Sequence, residues 1–93
     1  ISNEPGLYLT GQFGIRHENL VLVRKGEKTN YGQFMYLEPL TMVPFDKDAI
    51  DVNLLTKREI DLLNDYHTKV YETLAPHFTG EELVWLGEAT AAV

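Results

Sequence analysis

The sequence contains no cysteine, which removes disulfides, thiolate metal ligands and cysteine nucleophiles from consideration and permits a reducing compartment without requiring one. No apolar run approaches the roughly eighteen residues that a membrane-spanning helix needs. Positive charge is scarce: eight Lys and Arg stand against fourteen Asp and Glu, for a net charge of -6. The one tight basic group, Arg24-Lys25-Gly26-Glu27-Lys28, reads as a solvated turn between strands. Neither nucleic acid nor an anionic membrane surface is therefore an expected partner. The opening Ile1-Ser2-Asn3 has no initiator methionine and no basic-then-apolar leader pattern. It reads as a cut through a longer protein, with Ile1 at the end of a strand.

What is present is ordinary globular sequence, 93 residues with 44% hydrophobic and 24% charged side chains. A chain of this size buries roughly 60–70% of its unfolded surface, so a missing neighbour would leave apolar faces open. Two carboxylates stand out, Glu4 in Asn3-Glu4-Pro5-Gly6-Leu7-Tyr8 and Glu18 in Gly14-Ile15-Arg16-His17-Glu18-Asn19. Both lie in strand-like, apolar sequence, where a buried carboxylate must be paired, protonated or bound to a metal. At matched depth in neighbouring strands they would form half of a cation site. Glu4-Pro5-Gly6 has the composition of a sharp turn that aims the Glu4 side chain.

Residues 15–24 form the best strand pattern, with Leu20-Val21-Leu22-Val23 suited to a strand covered on both faces. The period of two puts Arg16 and Glu18 on one surface and Ile15, His17 and Asn19 on the other. Arg16 can then hydrogen-bond the Glu18 carboxylate or its partner, and the plainer alternative is a salt bridge on a solvated face. The next strand is expected from about Gln33 through Glu38 to Met42-Val43, at a sheet edge because Pro39 and Pro44 cannot donate to a ladder. Glu38-Pro39 repeats Glu4-Pro5 but lacks the glycine, so Glu38 reads as structural. Asp46, Asp48 and Asp51 do not fit a calcium loop and read as a solvated connection.

Thr56-Lys57-Arg58-Glu59 is a capping box that predicts a helix to about Ala75, with Ile60, Leu63, His67, Val70, Tyr71 and Leu74 along one stripe. A lone histidine in such a stripe is expected to be a core residue. Thr79-Gly80-Glu81-Glu82 repeats the capping spacing and predicts a shorter helix carrying Leu83, Trp85 and Leu86. Trp85 is a candidate either for burial within the chain or for packing on a partner.

Taken together, the EPG stretch at Glu4, Phe13-Gly14-Ile15-Arg16-His17-Glu18-Asn19, Leu37-Glu38-Pro39-Leu40-Thr41, Leu62-Leu63-Asn64-Asp65-Tyr66-His67 and Trp85-Leu86 resemble the end of the cytosolic-type aminopeptidases P. These are Xaa-Pro aminopeptidases of the creatinase-like, pita-bread metallopeptidase family. The resemblance implies an α+β piece: antiparallel strands from the end of a catalytic domain over residues 1–45, then a two-helix C-terminal extension over residues 46–93. It implies two divalent metal ions, manganese in the usual case, in the full-length enzyme. By motif, Glu4 and Glu18 take the two glutamate ligand positions, and Arg16 and Tyr8 stand behind them as residues that orient the ligands. Two aspartates and a histidine that complete such a site should lie upstream of Ile1. His17 departs from the aliphatic residue usual between the Arg and the Glu.

The implied activity is removal of an N-terminal residue that precedes proline, with a metal-held hydroxide as nucleophile, in the cytoplasm. Peptides with proline at the second position, the upstream part of the catalytic domain and a second copy of the protein are the implied partners. The isolated chain is expected to bind no metal tightly and to be inactive. Other readings of the residues are a non-catalytic subunit-interaction module, or an Xaa-Pro dipeptidase or creatinase-type relative.

Overall fold

Three antiparallel ladders and two α-helices make up the regular structure. A computed structural model describes all of residues 1–93, and the chain separates into two units, Ile1–Thr41 and Met42–Val93. The first is entirely β: β1 (Ser2–Asn3), β2 (Gly6–Leu9), β3 (Phe13–Arg16), β4 (Asn19–Thr29) and β5 (Gly32–Pro39). The second contains α1 (Lys57–Leu74) and α2 (Gly80–Ala89), with short 3-10 turns at Lys47–Ala49, Val52–Leu54 and Ala75–His77. Strands followed by helices match the α+β class expected.

In the β unit, β2 pairs antiparallel with β3, and β1 with β4, which also carries β5 on its other side. β5 is therefore an edge strand, as its prolines require. The two hairpin arms share one continuous register, since Gly6 faces Arg16 and Asn3 faces Asn19. The amide of His17 donates to the Pro5 carbonyl (3.1 Å) across the interval between the ladders. The expected sharp turn at Glu4-Pro5-Gly6 is thus absent: Gly6 opens β2, and the chain reverses at residues 10–12, where Gly11 has φ 72°.

The basic stretch at residues 24–28 is likewise not a turn. β4 runs through it to Thr29, and the reversal falls at Asn30-Tyr31. One extra residue is accommodated between Lys25 and Lys28 as a register shift, and the Gln33 side-chain amide fills it by donating to the carbonyls of Gly26 and Phe34, both at 2.9 Å. The expected extension of β5 to Val43 does not form: the strand ends at Pro39, and the pairing closes with Leu40 N–H donating to the Leu20 carbonyl (2.8 Å) and Leu20 N–H to the Thr41 hydroxyl (2.8 Å). β4 is not covered on both faces either: Val21 is buried, whereas Leu20, Leu22 and Val23 are exposed. The face carrying Leu7, Phe13, Ile15, Val23 and Leu37 is open as well, with Leu7 at 59% and Ile15 at 56% exposure.

The helical unit has the tighter core, formed by the fully buried Leu86, His67 and Val70. α1 begins with the expected capping box: Glu59 N–H donates to the Thr56 hydroxyl (3.3 Å) and Thr56 N–H to the Glu59 carboxylate (2.8 Å). Those bonds hold the Glu59 carboxyl below its ordinary pKa. The second capping box does not form, since Thr79 makes no side-chain cap bond and Gly80 adopts a left-handed φ of 60° at the helix start. The loop aspartates instead cap the 3-10 turns, Asp46 accepting from Asp48 N–H and Asp51 from Asn53 N–H, each at 3.0 Å. Residues 43–45 belong with the helices because α1 holds them: the Tyr66 hydroxyl donates to the Val43 carbonyl (3.0 Å) and Phe45 N–H donates to His67 Nε2 (3.0 Å). The chain consequently divides after Thr41.

Candidate metal centre

In an antiparallel ladder, residues directly opposite alternate between hydrogen-bonded and non-hydrogen-bonded pairs. Ile1 exchanges both backbone bonds with Val21, and His17 donates to Pro5. Glu4 and Glu18, one step from that last pair in the same register, therefore form a non-hydrogen-bonded pair. This is the arrangement in which opposite side chains come closest, with Cα atoms roughly 4.5 Å apart. Both carboxylates project from the same face of the hairpin. Pro5 lacks an N–H, so the ladder is thinned at the step where the two acids meet.

The same face carries Arg16 and Tyr8. Arg16 Nη2 donates to Glu18 Oε2 at 3.1 Å, the pairing anticipated from their spacing, and both side chains are substantially exposed. The ring of Tyr8 lies along the hairpin over two glycines. A Cβ at Gly14 would sit 2.6 Å from Tyr8 Cδ1, and one at Gly6 would sit 2.6 Å from the Tyr8 hydroxyl oxygen. Glycine at both positions is what allows the ring to rest there, with its hydroxyl beside Gly6 and so toward the carboxylate row. His17 alternates to the other face.

Both glutamates are exposed, so the burial argument that singled them out does not apply to them in this chain. Their register does. Two carboxylates directly opposite repel, and only one has an arginine against it. Two hard oxygen donors on one surface suit a hard divalent cation such as manganese or magnesium. No cluster of three or more His, Cys, Asp or Glu side chains able to hold a metal ion is present. The donor set fits part of a metal site and is too small for a whole one.

Glu38 is engaged elsewhere. It lies opposite Leu22 on β4 and forms an ion pair with Arg24; hydrogen bonding and charge from Glu38 raise the Arg24 pKa. His67 is buried in the helical unit, where desolvation, helped by the charge of Lys47, lowers its pKa. Trp85 is 56% exposed and lines a groove of about 620 Å³ together with Val43, Phe45, Lys47 and Glu88. The glycine cradle beneath Tyr8 is the part of the face that the sequence reading missed. Its only signal was the placement of glycines two residues before Tyr8 and at its cross-strand position.

Comparison with known proteins adds four findings. Residues 33–93 match the family described as the C-terminal region of peptidase M24. A probable Xaa-Pro aminopeptidase P of Arthroderma otae is 45% identical over 98 residues, covering 100% of this chain and 16% of the relative. Aminopeptidase P1 of Arabidopsis thaliana is 43% identical over 96 residues, covering 100% of this chain and 15% of the relative. Among solved structures, the X-prolyl aminopeptidase of Caenorhabditis elegans, described as a cytosolic enzyme with a di-nuclear active site, superposes with a TM-score of 0.85. It is 33% identical, and the match covers 99% of this chain and 16% of that one. The chain thus spans about one-sixth of the length of these relatives. The family match begins after the Glu4 and Glu18 hairpin, which only the longer alignments include.

Proposed function

The chain belongs to the peptidase M24 C-terminal region family, and on that premise we propose that it is part of a longer Xaa-Pro aminopeptidase, to whose two-metal centre it contributes Glu4 and Glu18. The observation that carries this reading is their placement directly opposite one another on one face of a continuous hairpin register. Metals, when bound, would supply Lewis-acid polarisation of the scissile carbonyl and activation of water.

The work of this chain's own residues is positional. Strand pairing fixes the backbone at both acids, so that their side chains leave one face at matched depth. Arg16 holds the Glu18 carboxylate through a charge-assisted bond and sets which oxygen remains available. Tyr8, kept against Gly6 and Gly14, supports the same row from its other end. The two carboxylate donors that this chain contributes suit a hard ion such as manganese. The remaining ligands, the peptide-binding groups and the cover for the open sheet face belong to the rest of the longer polypeptide. The 93-residue chain alone is accordingly inactive toward peptides with proline in second position, and it holds no ion tightly. The cytosolic setting of the nematode enzyme supports a cytoplasmic location, and no helix here is long and apolar enough to cross a membrane.

The test is made in the longer enzyme. Glu4→Gln and Glu18→Gln should each lower bound metal and Xaa-Pro cleavage by at least about a hundredfold, exceeding the usual effect of losing a residue that merely supports a ligand. Glu38→Gln should leave both near their original values. Full metal content and activity in the Glu4 or Glu18 variant would overturn the assignment.

A second reading, a subunit-contact role for the helical unit, rests on the adjacent exposed Val84 and Trp85 of α2, at 62% and 56% exposure. Sedimentation of the longer enzyme with both changed to Ser would test it, retention of the oligomeric state counting against it.

A further inference from the structure

His67 is fully buried in the helical unit, and its two ring nitrogens have different circumstances. Nε2 accepts the Phe45 N–H at 3.0 Å. Because an imidazole nitrogen that accepts a hydrogen bond carries no proton, the ring is neutral with its hydrogen on Nδ1. Nδ1 is buried and has no hydrogen-bond partner in the chain. A buried polar atom without a partner is uncommon, and here it means that no acceptor stands ready to stabilise a charged ring.

The consequences of adding a proton follow from this arrangement. It would have to enter at Nε2, the only ring nitrogen with a free electron pair. That would turn the acceptor for Phe45 N–H into a second donor facing it. The resulting cation would be enclosed with neither N–H satisfied. The charged and titratable neighbours do not relieve it. Lys47, from the segment packed on the ring, adds like charge, and its Nζ is held by the carbonyls of Glu88 (2.6 Å) and Ala91 (3.1 Å). Asp46, next to Phe45, has its carboxylate turned to Asp48 N–H. Tyr66, whose ring lies 5.9 Å from that of His67, directs its hydroxyl to the Val43 carbonyl. Relief comes by separating Phe45 from α1, which lets water reach the ring.

We propose that His67 is a proton-released latch: neutral, it fastens the Phe45 end of residues 43–45 to α1, and protonated, it lets that end of the segment go. The segment has a defined role, since Val43, Pro44 and Phe45 form one wall of the groove whose other side includes Trp85, Glu88 and Ala89. Releasing the latch opens that wall. Burial holds the pKa of His67 below the ordinary histidine value of 6.5. Above 6.5 both the latched and released states are neutral and the latch stays shut. Below it the released state takes up the proton more readily, so the latch weakens as pH falls and levels off once the latched state also protonates.

Hydrogen–deuterium exchange of the intact polypeptide, corrected for the intrinsic pH dependence of exchange, tests this at pH 7.5 and 5.0. The Phe45 amide should lose protection by up to about tenfold per pH unit over the window, the limit for release coupled to one proton. Amides of the β4–β5 ladder should keep theirs. His67→Gln, whose side-chain oxygen can accept the same bond without titrating, should show equal protection at both pH values. Unchanged protection of Phe45 in the unsubstituted protein, or the same pH-dependent loss in His67→Gln, would overturn the proposal. If the variant does not fold, NMR of the unsubstituted protein decides: opening at Phe45 must follow the His67 titration, and opening while the ring remains neutral refutes the latch.

Discussion

The Tyr8 ring and Gly14 occupy the same small space: a Cβ on Gly14 would lie 2.6 Å from Tyr8 Cδ1, closer than nonbonded carbons approach. Gly14→Ala must therefore displace the ring. The clash is near the base of the ring, whereas at Gly6 it involves the hydroxyl end, which can swing away more easily. Because Tyr8 is exposed, the loss is one of position more than of core packing.

A double-mutant cycle measures the contact. Gly14→Ala and Tyr8→Ala should be non-additive in denaturant unfolding, with a coupling on the order of 0.5–1 kcal/mol, as found for residues that share a contact. Additive effects would mean that the ring does not rest on the glycine.

The opposition of Glu4 to Glu18 makes an unusual stability prediction. Removing a ligand often harms a protein, but in the metal-free chain Glu4→Gln relieves repulsion between two carboxylates in a close cross-strand pair. Such a pair is unfavourable by roughly 0.2–1 kcal/mol, so the substitution should be neutral or slightly stabilising in thermal melts. Its advantage should shrink as added salt screens the charges. Clear destabilisation in metal-free buffer would contradict the register-based pairing.

At the start of α1, Thr56→Ala removes the hydroxyl that accepts Glu59 N–H and should cost about 1 kcal/mol, the usual price of losing a threonine cap. The reciprocal bond gives a pH signature. The Glu59 carboxyl has its folded pKa below its ordinary 4.5, so its contribution is present above that value and is lost as pH falls through the folded pKa. Melting temperature against pH should therefore show a step below 4.5 that Glu59→Gln diminishes. An unchanged acid limb in that variant would rule out the carboxylate's part in the cap.

Residues whose partners lie nearby in sequence were the most legible. The Thr56–Glu59 box and the stripe ending in His67 and Val70 could be read because helical neighbours recur at fixed short intervals. For Glu4 and Glu18 the sequence offered matched depth only as a condition, and it is the continuous register that sets them opposite one another. Interpretation failed where glycine was taken as a turn by composition alone. Gly26 lies within β4 at the irregular ladder, and Gly6 makes room for Tyr8. Space needed by another residue's side chain leaves no local periodicity. Likewise, nothing in Thr79-Gly80-Glu81-Glu82 shows that Gly80 takes a left-handed conformation that accompanies an unformed cap.

The hairpin register has a consequence for how this chain tolerates change. Each acid is separated from the reversal at residues 10–12 by an arm, residues 5–9 on one side and 13–17 on the other, and the arms work like the legs of a caliper. Losing or gaining one residue in a single leg turns one acid to the opposite face. An equal change in both legs lengthens the instrument and leaves its tips aligned. The pivot is under no such demand, because extra residues at Gly11 do not alter which arm residues face each other. A spectroscopic label or affinity tag can accordingly be spliced into the loop while the two carboxylates stay in line, whereas a one-residue deletion much closer to either of them separates the pair.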